Sequence, residues 1–243
     1  MANGKTMTPT IHSGAGKRAQ PQAGADPAPH YPNAAERLAD GLVHGVGLAA
    51  AAAGGVALLV LAFVRHDGAS LAAATGLYDL CLLAMLGCSA AYNLTHASAA
   101  RPFLRRLDEA GIFLMIAGSY TPFTTQRFAG AWAWGMTALV WSVALAGVAG
   151  KLMFRKIPDW LWTLVYVAFG WIALIAIRPL VEGLPISALA LLVAGGLVYT
   201  TGVLVFHNPR VPYRRAIWHG FVVVAAAVHF AAVCTGVVLA APL

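Results

Sequence analysis

Asp40 and His44, then Ser89, Asn93 and His96, then Asp108 and Glu109, then Arg215 and His219 form four short polar stretches, each at one boundary of a long apolar run. Together they offer imidazole, carboxylate and hydroxyl. That is the inventory of a site that holds a metal ion and activates water, because neutral His and ionised carboxylate are metal ligands and a further Asp or Ser can orient the water. Each group also has a plain structural use. Carboxylates such as Asp108 favour helix N-termini, Ser89 suits a close helix crossing, and His44 serves equally as a proton carrier or as a contact near a helix start. Two ionisable residues lie deeper in apolar runs, Asp79 and His229. Ten residues of helix rise about 15 Å, so the two reach related depths and are expected to share a hydrogen bond or a proton. For His229 the plainer role is a bond to a neighbouring carbonyl.

Lipid-embedded helices must position these groups. Of 243 residues, 60% are hydrophobic and 10% charged, and the mean hydropathy is +0.73. The chain is therefore expected to be all-α and polytopic, with seven transmembrane helices. The spans read approximately Gly41 to Val64, Leu71 to Tyr92, Ala110 to Thr124, Gly130 to Gly150, Trp160 to Ile177, Leu184 to Phe206 and Ala216 to Leu239. Lys and Arg near span ends resist translocation. On one side fall Lys5, Lys17, Arg18 and Arg37, then Arg101, Arg105 and Arg106, then Lys151, Arg155 and Lys156, then Arg210, Arg214 and Arg215. The other side has Arg65, Arg127 and Arg178. The expected topology has the N-terminus in the cytosol and the C-terminus outside. Because spans alternate direction, odd spans start and even spans end at the cytosolic boundary, so the four polar stretches converge there. Ionisable groups at such depth are costly and mark function.

The same topology explains the net charge of +7, so nucleic acid is not an expected partner. Membrane lipids are, and the cation clusters favour anionic head groups; no protein partner can be named. Cys81, Cys88 and Cys234 all lie in apolar spans and imply no disulfide framework. Residues 1–35 lack hydrophobic periodicity and are expected to be a disordered cytosolic tail in which His12 and His30 are solvated, leaving residues 36–243 as the membrane domain. Trp132 and Trp134 at one face, with Trp160, Trp162 and Trp218 at the other, read as interfacial belts.

Four strings carry a resemblance. ERLADGLVHGVG from Glu36 to Gly47, the Ser-x-x-Tyr of Ser89 to Tyr92, LDEAGIFLMIAGSYTPF from Leu107 to Phe123, and Ala216 to His219 with His229 and Phe230 resemble the bacterial hemolysin III branch of the progestin and adiponectin Q receptor family. The third-helix string is the most specific. The resemblance implies seven spans with the N-terminus inside, a bacterial-type inner-membrane location, and a zinc ion. Three histidines would hold that ion, one after Ser-x-x-Tyr and two spaced four apart on the seventh helix, and a third-helix aspartate would orient water. Ser89, Asp108 and His219 match those positions, whereas the other two ligand positions are Asn93 and Arg215. Asn is a poor zinc ligand, and a guanidinium repels the metal. The inherited site is thus degenerate. His96, three residues past Asn93, offers a repaired ligand beside His219, and Glu109 stands where a histidine is usual in the branch. Otherwise Arg215 replaces the metal's charge by pairing with Asp108 or Glu109.

Three functions follow as expectations. The first is a lipid-responsive or membrane-homeostasis protein with this degenerate zinc site. The second is a zinc-dependent lipid amide hydrolase that uses a repaired ligand set, with Asp108 and Ser89 as its catalytic groups. The third is a proton or ion path through Asp79, His229 and His44. A secreted toxin is not expected, since this much fixed transmembrane helix leaves no soluble phase.

Overall fold

The computed structural model describes residues 1, 30–65, 68–96, 98–154 and 156–240, and all regular structure among them is helical. Helix α1 (Ala34–Arg65) starts where Asn33 caps it: Asn33 Oδ1 accepts the Glu36 amide at 2.8 Å, with the acid at the third helical position. Helix α2 spans Ala69–Leu94, and α3, Arg101–Gln126, carries Pro102 in its first turn, where the missing N–H costs nothing. Helix α4 (Gly130–Met153) follows a turn in which Gly130 adopts φ +54°, a conformation strained for any side chain. Helix α5 (Asp159–Gly170), a 3₁₀ stretch at Ile172–Ala176 and α6 (Ile177–Gly183) form one interrupted rod. Helix α7 is Ile186–His207, and α8 (Arg214–Val233) ends in a π turn over Cys234–Val238.

Six of these rods are long and apolar enough to cross a membrane. Helix α3 falls short of that measure, yet it packs along α2 and α4 and meets α5 and α8. The expected third span, Ala110 to Thr124, is a 26-residue helix from Arg101 to Gln126. Its first turns are charged, which shortens the apolar run, but a helix needs only propensity and packing there, and much of that charge is paired on neighbouring helices. The fifth span likewise runs past Ile177 to Gly183, because the 3₁₀ break changes its pitch without ending it.

The rods close into a ring: α1 packs on α2 and α8, α2 on α3, α3 on α4, and α7 on α8, while α5 bridges α3 and α7. Small residues allow the tightest crossings, with Gly118 under Cys81 and Gly147 under the Phe113 ring. Thr137 donates to Thr124 at 2.8 Å and the Trp141 indole to Thr121 at 3.1 Å, binding α4 to α3. At the break of the interrupted rod the Tyr120 hydroxyl donates to Gly170 O at 2.7 Å and accepts from Ala173 N at 2.9 Å. Trp162, expected in an interfacial belt, is instead buried edge-on against Phe113.

Inside the ring runs a cavity of about 610 Å³. One end is lined by His44, Ser89, Asp108 and His219, the other by Phe123, Phe128, Met136 and Leu180. The expectation of a disordered tail falls mostly on residues 2–29, which lie outside the described residues, as does His12. Residues 30–33 are described, and they turn back onto the polar end of the bundle.

Candidate metal centre

Asp40 and His44 lie one turn apart on α1, so both project from one face, and His219 meets them from the first turns of α8. All three are buried, and one donor atom from each lies within 4.8 Å of the others. His219 Nδ1 is 2.6 Å from Asp40 Oδ1. His44 Nδ1 is 2.8 Å from the Asp40 carbonyl oxygen and 3.6 Å from Oδ2. The rings pack edge to face, 4.3 Å between centroids.

These contacts assign the tautomers. A carbonyl and a carboxylate only accept, so each Nδ1 must carry the proton, and both Nε2 atoms are left as acceptors in the neutral rings. Both face the same hydroxyl: Ser89 Oγ lies 3.3 Å from His44 Nε2 and 3.4 Å from His219 Nε2. Asp108 also reaches Ser89 from α3, and Asn93 donates its amide to Ser89 O at 3.0 Å and to Oγ at 3.4 Å. Ser89 has a single hydroxyl proton for two imidazole nitrogens and a carboxylate. The surplus of acceptors at a buried point is what a divalent cation satisfies, and two imidazoles with one carboxylate form a ligand set of the catalytic-zinc kind. The Nδ1 bonds to Asp40 supply the outer-shell contacts that orient such imidazoles. The residues present therefore fit a zinc-class ion.

The structure brings Ser89, Asn93, Asp108 and His219 together with His44. It does not bring His96. Helix α2 ends at Leu94, so spacing along the helix no longer governs where His96 points; it is exposed and takes a hydrogen bond from Arg37 Nη1 at 2.7 Å. Glu109 turns away from the centre toward α4, where it accepts Lys151 Nζ at 2.8 Å. Arg215 pairs with neither Asp108 nor Glu109; its Nε donates to the His30 carbonyl at 3.2 Å. His30, expected in solvent, lies with Nε2 2.9 Å from Asn93 Oδ1. Burial, with Arg215 and Arg101 nearby, pushes its pKa down to about 4.

The deeper pair does not form. His229 bonds Leu192 O at 3.2 Å, its ring seated on Gly195 of α7, whereas Asp79 presses on Gly55 of α1 and its buried Oδ1 has no partner. The two side chains serve different helix crossings. Asp40 is a candidate residue that matching family positions passes over, although its spacing of four puts it on the same helix face as His44.

A sequence model of a family described as haemolysin-III related matches residues 34–230. The chain is 31% identical over 195 residues to "Hemolysin-3" of Bacillus cereus, covering 80% of this chain and 89% of that protein. It is 31% identical over 195 residues to "Hemolysin-3 homolog" of Bacillus subtilis (strain 168), covering 80% and 91%. It is also 30% identical to human "Monocyte to macrophage differentiation factor" over 127 residues, 52% of each chain.

Proposed function

Because the chain belongs to the haemolysin-III-related family of multi-pass membrane proteins, we propose that it is a seven-span protein of a bacterial-type inner membrane, N-terminus inside, that cleaves an amide bond of a membrane lipid. The centre that does so is a zinc-class site at the cytosolic end. The observation that carries this reading is the convergence of His44 Nε2 and His219 Nε2 on one hydroxyl beside Asp40 and Asp108. His44 and His219 would hold the ion through their Nε2 atoms, with Asp40 orienting both rings from the Nδ1 side. When bound, zinc supplies Lewis-acid polarisation of a carbonyl and makes water nucleophilic near neutral pH.

The chain's own residues do the rest. Asp40 fixes both imidazole tautomers, through its carboxylate for His219 and its carbonyl for His44. Asp108 bonds Ser89, and from there its carboxylate would orient the attacking water, take its proton and return that proton to the amine nitrogen as the C–N bond breaks. Ser89 Oγ holds the line between them. The cavity continues from this polar end past Ile112, Met115 and Ile116 to Phe123 and Leu180, an apolar length that accepts acyl chains and keeps water from the reacting bond.

A second reading is a lipid-responsive protein in which the cluster does no chemistry. It is favoured by the Asp40 carboxylate, both oxygens of which already accept hydrogen bonds within the protein. Elemental analysis of detergent-purified protein separates the two. The hydrolase reading expects about one zinc-class ion per chain, lost in His44→Ala; metal-free wild-type protein that still folds and binds lipid would leave the second.

A further inference from the structure

The chain immediately before α1 is part of the centre's wall. With Asn33 capping α1, the residues ahead of it turn back over the bundle end, and Tyr31 is buried at 8% exposure. Its hydroxyl donates to Asp40 Oδ2 at 2.5 Å, while His219 Nδ1 occupies Oδ1 at 2.6 Å. His30 holds this strap down from two sides. Its ring nitrogen meets Asn93 Oδ1 of α2 at 2.9 Å, and its carbonyl accepts Arg215 Nε of α8 at 3.2 Å. The His30 ring also packs edge-on against Tyr31 and Tyr92, with centroids 4.9 and 5.2 Å away, and the Arg215 guanidinium lies 5.9 Å from the Tyr31 ring centre.

We propose that Tyr31 is a positioning residue of the metal centre, held over Asp40 by a strap that docks on Asn93 and Arg215. The Asp40 carboxylate is fully buried, and without the Tyr31 hydroxyl its Oδ2 keeps only the long 3.6 Å approach of His44 Nδ1. A buried carboxylate oxygen short of a donor rotates to find one. That rotation would pull Oδ1 from His219 Nδ1 and release the tautomer that leaves Nε2 free. Asn93 and Arg215, unfit as zinc ligands, acquire a use on this account: one supplies an acceptor, the other a donor, and both secure the segment that completes the site. The consequence for metal rests on the zinc reading above; the strap's geometry does not.

The test uses full-length protein in detergent, comparing wild type, Tyr31→Phe and His30→Ala. His30 touches neither Asp40 nor either imidazole in the centre, so its effect arrives through the strap or through Asn93, which also donates to Ser89; Tyr31→Phe, which leaves Asn93 and its bonds in place, is the deciding variant. The readouts are zinc affinity by chelator competition and the visible absorption of the cobalt-loaded protein, which reports ligand geometry. Tyr31→Phe is expected to keep one ion per chain while weakening affinity about tenfold, the scale of outer-shell changes, and to shift the cobalt bands. His30→Ala should move both in the same direction by less. Affinity and bands identical to wild type in Tyr31→Phe would overturn the proposal. If wild type binds no metal, the zinc reading fails by itself, and the strap is judged on metal-free protein by a thermal-unfolding double-mutant cycle of Tyr31→Phe with Asp40→Asn. Coupled effects support the Tyr31–Asp40 contact; additive ones overturn it.

Discussion

Asp108 and Glu109 are neighbours in sequence and belong to two opposite kinds of cluster. Glu109 accepts Arg105 Nε and Lys151 Nζ, one on each oxygen, both at 2.8 Å, and Arg105 Nη2 bridges the Asp159 oxygens at 2.9 and 2.8 Å. Two cations meet two acids, every contact has a donor and an acceptor, and Lys151 Nζ sits 4.4 Å over the Trp162 ring. This network ties α3 to α4 and α5. The cluster that Asp108 faces is unbalanced, with three acceptors around one Ser89 proton. Matched charge inside the bundle is framework; surplus acceptors inside it call for a cation. The distinction lies in donor bookkeeping, since residue type alone puts both acids in one class.

The sharpest way to break this contrast is to remove a member of each cluster. His219→Ala should reduce bound zinc from about one ion per chain to none, an affinity loss on the order of 100-fold or more when one of the two imidazole ligands goes. Glu109→Gln should leave the ion in place. Equal metal content in the two variants would erase the division.

Stability should respond the other way round. Glu109→Ala leaves Lys151, 5% exposed, without its carboxylate, and should cost about 2–3 kcal/mol in thermal or denaturant unfolding. Lys151→Met should cost less, because Glu109 keeps Arg105 and the replacement packs on Trp162. The reverse order would show that the network is not what ties these helices.

His30 gives a smaller, pH-dependent signal. Its pKa is about 4 in the folded chain against 6.5 when free, so between these values the unfolded chain binds more protons. The contribution is complete above pH 6.5 and is lost as pH falls toward 4. Since the ring is half-buried and screened, the amount is on the order of 1 kcal/mol. His30→Ala should flatten that part of the stability profile, and a profile unchanged by the substitution would place the titration elsewhere.

Much of the architecture was legible from apolar runs, and the polar end could be located because the starts of odd spans and the ends of even spans share a depth. Helix α3 was underestimated because a hydropathy window treats charge as a boundary, whereas Arg105 and Glu109 are paired with Asp159 and Lys151 of neighbouring helices. That Ser89, Asp108 and His219 lie together at one end of the bundle was legible. Asp40 lies outside the inherited positions, and only its spacing of four from His44 marks it in the sequence. His96 failed for a local reason, the helix having ended two residues earlier. Tyr31 and His30 carried no signal at all: contacts that span 63 and 185 residues, His30 to Asn93 and to Arg215, leave no periodicity in sequence.

Asp79 tests the smallest effect and the remaining alternative, a proton path through mid-membrane. Depth alone made Asp79 and His229 partners, but their helical faces differ: Asp79 fits against Gly55 and His229 against Gly195. A carboxyl with an unpartnered Oδ1 contributes no specific bond, and Asn is nearly its isostere, so Asp79→Asn should shift stability by no more than about 0.5 kcal/mol and leave zinc content unchanged. Gly55→Ala should be worse than Asp79→Asn, because an added Cβ collides with the carboxylate whatever its protonation. Proton flux into liposomes that vanishes in Asp79→Asn would restore the path reading, with Asp79 as a carrier working alone; unchanged flux leaves Asp79 a packing residue whose charge the neighbouring helices do not use.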